Sequence, residues 1–131
     1  MSSLVVDASA LVEYLLRTER GEKVEPVLTS REVELHVPAL CDVEVTAALR
    51  RGILLGELAV PRAEQALAAY LDLPLTRHGH QTLLPRILGL RANFSSYDAA
   101  YVALAEKLEA PILTADERLA RACRTVGLET P

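Results

Sequence analysis

Two short apolar runs, each ending in an aspartate that precedes a helical pattern, constrain this fold more than any other feature. "LVVDAS" carries the run Leu4–Val6 before Asp7, and "PILTAD" carries a similar run before Asp116. Neither run alternates apolar with polar residues, and strands of that kind are buried on both faces. Helical spacing begins after each aspartate, from Ala8 in the first case and over "ERLARACRTV" in the second. The pattern predicts parallel strands covered by helices, which is an α/β fold.

The segments between these two runs also read as alternating helices and strands. "GEKVEPVLTSR" predicts a short helix that breaks near Pro26, because proline removes a helical hydrogen bond. Glu34–Val37 predicts a strand, and Pro38 stands where a helix could begin. Two strong helices are predicted over Ala39–Leu55 and Pro61–Leu71.

The last part of the chain has four further predicted elements. "LDLPLT" predicts a strand or extended segment, and "HGHQTLLPRILGLRA" predicts a helix that Pro85 either kinks or begins. "SSYDAAYVALAEKLEA" is the clearest helix, with Ser96 as its expected N-cap. "GLET" is a possible last strand. No repeat, low-complexity tract or linker interrupts the series, so residues 1–131 are expected to form a single domain.

Length and composition place this domain among small proteins of a reducing compartment. A chain of 131 residues suits one core, and with only 4% aromatic residues that core must consist of Leu, Val, Ile and Ala. No apolar segment approaches the roughly 20 residues needed to cross a bilayer, and no signal peptide is visible. Cys41 and Cys123 lack metal-type spacing and are expected to be buried free thiols. These features predict a cytoplasmic location without a membrane partner.

Charge is distributed unevenly along the chain. The formal net charge of −4 argues against a general nucleic-acid binder, yet Leu73–Tyr97 contains no acidic residue. Arg86 and Arg91 lie in that stretch, and Arg118 begins a series of three arginines spaced by three residues. Local basic patches on an acidic protein fit a site that holds metal ions beside a polyanion, although solvated helix surface explains the same arginines.

The aspartates at the strand ends are candidates for such a site. Ligands of parallel α/β sheets bind beyond the carboxyl ends of the strands, so Asp7 and Asp116 should share a crevice if their strands are close. Asp98 lies near a helix start, where the helix dipole favours a carboxylate. Helix capping alone explains each aspartate taken singly.

Glu44 cannot be explained by capping, because it lies within the helix Ala39–Leu55. Helical spacing puts it on a face with Leu40, Ala47 and Ala48, so it should point partly inward and need an arginine, a proton or a metal ion. Two carboxylates about 4 Å apart repel by about 4 kcal/mol at an effective dielectric of 20, so four converging acids need a counter-charge.

The ligand types select the ion and suggest the chemistry. Oxygen ligands favour Mg²⁺ or Mn²⁺. Zinc is not expected, because His36, His78 and His80 lack ligand spacing and the last two read as surface residues. Divalent ions beside basic patches suggest hydrolysis of a phosphodiester, in which an ion can activate water and polarise the phosphate. No glycine-rich phosphate loop and no Gly-x-Ser-x-Gly elbow occurs.

Three segments in order resemble the PIN-domain ribonucleases, in particular the VapC-type toxins of toxin–antitoxin modules. They are "LVVDASALVEYLL", "VPALCDVEVTAALRRG" and "SSYDAAYVALAEKLEAPILTADERL", and the resemblance covers nearly the whole chain. It implies a three-layer α/β/α fold with a short parallel sheet. It also implies that Asp7, Glu44, Asp98 and Asp116 form the catalytic metal site. Ser9 and Thr114 match hydroxyl residues that support such carboxylates, while Glu13, Asp42 and Glu117 match no core position and read as surface.

The same resemblance implies an endoribonuclease toxin that cleaves cellular RNA, often tRNA or rRNA, and so blocks translation. Arg86, Arg91 and Arg118 are then candidate RNA contacts. A homodimer and a cognate VapB-type antitoxin are also implied, with helices Ala39–Leu55 and Pro61–Leu71 as a possible apolar groove for the antitoxin. Two alternatives stay open: a PIN-type nuclease of RNA processing or DNA flaps, and a catalytically silent binding module whose acids are caps and salt bridges.

Overall fold

A computed structural model describes all 131 residues and contains four strands and seven α-helices. The strands are β1 (Ser2–Val6), β2 (Val33–Pro38), β3 (Leu75–His78) and β4 (Ile112–Leu113). The helices are α1 (Ala8–Leu15), α2 (Glu19–Leu28), α3 (Cys41–Leu54), α4 (Val60–Asp72), α5 (Leu84–Gly89), α6 (Ser96–Leu108) and α7 (Glu117–Thr125). A short 3₁₀ turn over Gln81–Leu83 precedes α5.

The four strands form one parallel sheet in the order β3-β2-β1-β4. β1 pairs with β2 from Ser2↔Val33 to Val5↔His36, and its other edge pairs with β4 at Val5↔Ile112 and Val6↔Leu113. The first and last strands of the chain are therefore neighbours. This adjacency brings Asp7 and Asp116 to the same edge of the sheet and confirms the predicted α/β class.

The sheet is flanked by helices that bury its apolar runs. Helices α1 to α4 pack against one another, whereas α5 packs on α6, and α6 lies on β1, β2 and β4. Every residue of α6 from Ala99 to Ala105 is buried, because four alanines in this run let the helix approach the sheet closely. One cluster of 32 buried residues forms the core. No helix combines the length and hydropathy that a membrane crossing requires.

Both cysteines are buried and unpaired, as expected. Burial raises the pKa of the Cys41 thiol to about 11, and burial likewise raises the pKa of Cys123 to about 11. Neither thiol is therefore activated as a nucleophile at neutral pH.

The prolines act differently from their predicted roles at two of three positions. Pro26 does not break α2, which continues to Leu28; it removes its own N–H donor, but the amide of Thr29 still donates to the carbonyl of Glu25 at 2.9 Å across the proline. Pro38 ends β2 instead of beginning a helix, and the ladder continues to Ala39, whose amide donates to the carbonyl of His78 at 2.8 Å. Pro85 lies in the first turn of α5, which is one of its two predicted roles.

Three further boundaries differ from the sequence-based expectation. β3 lies later than "LDLPLT" because its pairing with β2 runs from Leu35↔Leu75 to Pro38↔His78, which puts His78 in the sheet. The N-cap of α6 is Ser95, and not Ser96: its hydroxyl accepts from the amide of Asp98 at 3.1 Å. "GLET" is not a strand; one backbone hydrogen bond, from Ile112 to Glu129 at 2.9 Å, attaches it to the sheet edge.

Candidate active site

Asp7 lies where β1 ends and α1 begins, beside β4. Its amide donates to the carbonyl of Leu113 at 2.8 Å, and only 7% of the residue is exposed. Although Asp7 occupies the N-cap position of α1, its side chain makes no cap hydrogen bond to the helix. Capping therefore does not explain why a carboxylate is buried here.

Two hydroxyl groups hold the Asp7 carboxylate. Ser9 Oγ donates to Asp7 Oδ2 at 2.6 Å, and Thr114 Oγ1 donates to the same oxygen at 2.9 Å. Each hydroxyl in turn accepts a backbone N–H, from Ala115 onto Ser9 and from Asp116 onto Thr114, both at 3.0 Å. Because each hydroxyl has one proton, the 3.1 Å approach of the two hydroxyl oxygens is a contact between groups that both point at Asp7. The network ties β1 to the loop that follows β4.

Glu44 lies in the first turn of α3 and is half-buried. The sequence left open a salt bridge to an arginine, but the partner is Tyr101, whose hydroxyl donates to Glu44 Oε1 at 2.6 Å. The predicted neighbours on the helix face were partly wrong, because Ala47 is exposed. Glu44 instead borders the buried face of α3, which consists of Cys41, Val45 and Leu49.

Burial and mutual repulsion act together on these acids. Burial raises the pKa of Asp7; the Ser9 and Thr114 hydroxyls partly offset this, and the negative charge of Asp98 adds to it. Burial also raises the pKa of Glu44, against the Tyr101 hydrogen bond and with further contributions from Asp7 and Asp98. Three of the four predicted carboxylates thus lie within electrostatic reach of one another.

Asp98 and Asp116 lie in the first turns of two helices and have different local roles. Asp98 is the third residue of α6, so the Ser95 hydroxyl caps its amide and leaves its side chain free of capping. Asp116 is a true N-cap of α7, since its Oδ1 accepts from the amides of Arg118 at 2.9 Å and Leu119 at 3.2 Å. Its Oδ2 remains for other partners.

Arg118 joins these two aspartates. Its Nη2 lies 3.1 Å from Asp98 Oδ2 and 3.5 Å from Asp116 Oδ2, while 65% of its side chain is exposed. Arg118 is therefore the one predicted RNA contact that the structure places among the carboxylates. Arg86 instead forms a bidentate pair with Glu106 at 2.8 and 2.9 Å, roughly 12 Å along α6 from Asp98. Arg91 is exposed and donates to the carbonyl of Leu88.

The donor set suits a hard divalent ion, although the side chains are not yet arranged around one. Asp7, Glu44, Asp98 and Asp116 present only oxygen atoms, and repulsion among buried acids is what a cation relieves. As the side chains stand, no three His, Cys, Asp or Glu groups are close enough to hold an ion together. The guanidinium of Arg118 lies between two of the four carboxylates, those of Asp98 and Asp116.

The three histidines are structural residues, which corrects the expectation that His78 and His80 lie on the surface. His36, 7% exposed, pairs through Nδ1 with His78 Nε2 at 2.9 Å, and its own Nε2 is buried without a partner. His80 Nε2 accepts from the amide of Leu40 at 3.0 Å, just before α3. These contacts join β2, β3 and the residue that precedes α3, and neither of them involves a carboxylate.

Sequence reasoning missed Tyr101 and assigned Asp42 only to the surface. Tyr101 had no predicted role, although a tyrosine in an alanine-rich helix is a residue whose hydroxyl usually has a hydrogen-bond partner when it is buried. Asp42 Oδ1 accepts from the hydroxyl of Tyr70 at 2.6 Å and from Nε of Arg77 at 2.8 Å. These two hydrogen bonds join α3 to α4 and β3, and Asp42 does not belong to the carboxylate site.

Comparison with known sequences agrees with this geometry. The sequence profile of the PIN domain matches residues 4–125, so the chain belongs to the PIN-domain family. Ribonuclease VapC3 of Mycobacterium tuberculosis is 42% identical over 120 residues, covering 91% of this chain and 86% of that protein. Ribonuclease VapC9 of the same organism is 41% identical over 116 residues, covering 88% and 87%. Within the PIN domains, the chain thus groups with the VapC ribonucleases.

Solved structures support the fold independently. PAE2754 from Pyrobaculum aerophilum superposes with a TM-score of 0.75 at 22% identity, covering 98% of this chain and 83% of that chain. VapC20 of Mycobacterium tuberculosis, a toxin that cleaves the sarcin–ricin loop, superposes with a TM-score of 0.69 at 16% identity, covering 91% and 94%. At these identities the similarity concerns the fold alone.

Proposed function

We propose that this chain is the endoribonuclease toxin of a toxin–antitoxin module and that it hydrolyses phosphodiester bonds of cellular RNA with Mg²⁺ or Mn²⁺. The observation that carries the proposal is the buried Asp7 carboxylate, which two hydroxyls hold against β4 within reach of two other acids. Burying a charge is costly unless a partner compensates it. A site that keeps like charges together without a resident buried cation is built for a cation from solution.

In this proposal Asp7, Glu44, Asp98 and Asp116 hold the ion, which supplies charge to polarise the phosphate and to activate water. Ser9 and Thr114 fix the orientation of Asp7, since both donate to one of its oxygens. Tyr101 orients Glu44 in the same way from α6. Supporting groups of this kind keep ligands in place and reduce the cost of ordering them on binding.

RNA is the proposed substrate class, with tRNA or rRNA as the expected targets. The relatives are ribonucleases, and one structural neighbour is a toxin that cleaves the sarcin–ricin loop. Arg118 is the guanidinium nearest to the acids and can contact a backbone phosphate. Arg86 and Arg91 lie farther along the surface, where they could contact a longer RNA.

A VapB-type antitoxin and a homodimer are the proposed protein partners, with a cytoplasmic location where both RNA and antitoxin are found. Nine large apolar side chains are more than half exposed, which is the kind of surface that partners cover. Five of them lie on or beside α3 and α4, the helices of the proposed antitoxin groove: Val43, Leu54, Leu55, Val60 and Leu71.

The direct test compares RNA cleavage by wild type, Asp7→Asn and Asp98→Asn. Both variants keep the side-chain shape but lose a carboxylate, so cleavage should fall by about a hundredfold or more. Asp72→Asn, at the exposed end of α4, removes the same charge away from the site and should keep full activity. Wild-type activity should disappear with EDTA. Undiminished cleavage by well-folded Asp7→Asn, or indifference to EDTA, would contradict the proposal.

The alternatives predict different results in cells. A toxin should arrest growth when it is induced, produce new RNA 5′ ends and be neutralised by a small antitoxin encoded beside it. A processing nuclease should trim a defined RNA without arresting growth. A catalytically silent binding module should cleave no RNA and show no Mn²⁺-dependent change in melting temperature.

A further inference from the structure

One carboxylate oxygen of Asp98 and one of Asp116, neither used in a helix cap, lie beside the guanidinium of Arg118. Asp116 Oδ1 is used by the cap of α7, so Oδ2 is the oxygen that remains for an external ligand. That oxygen lies 3.5 Å from Arg118 Nη2, and Asp98 Oδ2 lies 3.1 Å from the same nitrogen. Arg118 therefore contacts the remaining oxygen of Asp116 and one of the two oxygens of Asp98, both of which are possible ligands of a divalent ion.

We propose that Arg118 is a built-in counter-ion that competes with the divalent ion for Asp98 and Asp116 and thereby sets the metal affinity of the site. This inference rests on the proposed metal-dependent function. Ion binding would then be an exchange of one cation for another.

The geometry makes this exchange easy. Arg118 is 65% exposed, and its guanidinium has only the two aspartates as partners. Exposed ion pairs are weak, so the side chain can leave without disturbing α7. The backbone of Arg118 stays in place because its amide is held by Asp116 Oδ1 at 2.9 Å.

A displaced Arg118 would remain at the rim of the site. Its side chain is long and flexible, and its planar group of five donors matches a phosphate. The same residue would thus neutralise the acids when the ion is absent and contact RNA when the ion is bound. A purely structural ion pair would also neutralise the acids, but it would stay in place when the ion is present and would not contact RNA.

The test is a Mn²⁺ titration at constant ionic strength, in which electron paramagnetic resonance measures the free ion. Arg118→Ala should bind Mn²⁺ about three- to tenfold more tightly than wild type, the size of effect that one or two exposed ion pairs allow. Arg118→Lys keeps the charge but not the planar guanidinium, so its Mn²⁺ affinity should lie between those of wild type and Arg118→Ala. Arg121→Ala, one turn farther along α7 and also exposed, removes the same charge away from the acids and should match wild type.

A second measurement separates this role from a structural one. With saturating metal, Arg118→Ala should raise the KM for RNA more than it lowers kcat, because the phosphate contact is lost while the ion stays bound. Unchanged or weaker Mn²⁺ binding by Arg118→Ala would overturn the inference. If the alanine variant folds poorly, Arg118→Lys replaces it in the test, and Mn²⁺ binding by Arg118→Lys that is no tighter than wild type would overturn the inference.

Failure of this inference can be distinguished from failure of the proposed function. If wild type binds Mn²⁺ and cleaves RNA but the Arg118 variants bind Mn²⁺ as wild type does, only the counter-ion role is refuted. If wild type binds no Mn²⁺ and EDTA has no effect on cleavage, the metal-dependent function and the counter-ion role are both refuted.

Discussion

Tyr101→Phe isolates the hydrogen bond that orients Glu44. The ring of Tyr101 is fully buried, so phenylalanine keeps its packing and removes only the hydroxyl that donates to Glu44 Oε1 at 2.6 Å. A hydrogen bond to a charged group contributes about 1.5–3 kcal/mol, but Glu44 is half-buried and water can replace part of it. The expected loss of stability is therefore about 1–2 kcal/mol, which lowers the melting temperature by about 4–7 °C in a chain of this size.

The assay is thermal unfolding at pH 7 in EDTA, followed by circular dichroism. Tyr97→Phe is the matched control, because Tyr97 is 66% exposed and has no side-chain hydrogen bond that the change could remove. Its melting temperature should stay within about 1 °C of wild type, as is usual for surface substitutions. In a Glu44→Gln background the effect of Tyr101→Phe should shrink, since the bond is then no longer charge-assisted.

The same substitution should affect the pH dependence of activity. The Tyr101 hydroxyl lowers the pKa of Glu44, which burial has raised, so its removal should raise that pKa further. Glu44 would then ionise at higher pH, and the acid limb of the cleavage profile should move to higher pH. A melting temperature equal to that of wild type, together with an unshifted acid limb, would refute the reasoning that Tyr101 holds the Glu44 carboxylate.

Three further predictions concern Thr114 beside Asp7, His78 in β3 and the close contact of α1 with α2 at Gly21. Thr114→Val removes one of two hydroxyls on the buried Asp7 and should cost about 1–3 kcal/mol by chemical denaturation, whereas Thr114→Ser should recover most of it. Burial lowers the pKa of His78 below the usual 6.5, and the positive charges of His36 and Lys107 lower it further. As the pH falls, His78 is therefore protonated in the unfolded chain before it is protonated in the folded one. The stability difference between wild type and His78→Gln should therefore decline as pH falls below about 6.5, and a pH-independent difference in melting temperature would contradict this. Gly21→Ala should lower the yield of folded protein or destabilise it by about 4 kcal/mol or more, because the added Cβ would lie 2.1 Å from the carbonyl oxygen of Glu13. A denaturant unfolding curve equal to that of wild type would disprove the close approach of α1 and α2.

Local sequence was most informative where hydrophobic pattern and backbone chemistry agree. The apolar runs before Asp7 and Asp116 are β1 and β4, and α6 was recognised from its apolar spacing. The predicted boundaries of the strands were less accurate, because pairing with a neighbouring strand determines where a strand begins and ends. His78 belongs to β3 because β2 offers it a partner, and Pro38 belongs to β2 for the same reason. Long-range hydrogen bonds of this kind leave no local pattern.

The site was anticipated as a set of acids, and the structure supplied the contacts among them. Asp7, Glu44 and Asp98 lie within mutual electrostatic reach, and their roles in catalysis stay predictions that the variants above test. Tyr101 as the partner of Glu44, separated by 57 residues, could not be predicted from spacing. Nor could the position of Arg118 between Asp98 and Asp116, since any exposed helical arginine has the same sequence appearance.

The sequence by itself determined the alternation of strands and helices, the burial of both sheet faces and the places where carboxylates follow strands or begin helices. These are consequences of hydrophobic period and of backbone groups at helix ends, which act over a few residues. Tertiary structure alone decided that β4 lies beside β1, that two hydroxyls hold Asp7 and that a guanidinium joins two of the acids. Those features depend on contacts between residues far apart in the chain, whose distances are set only when the whole core packs.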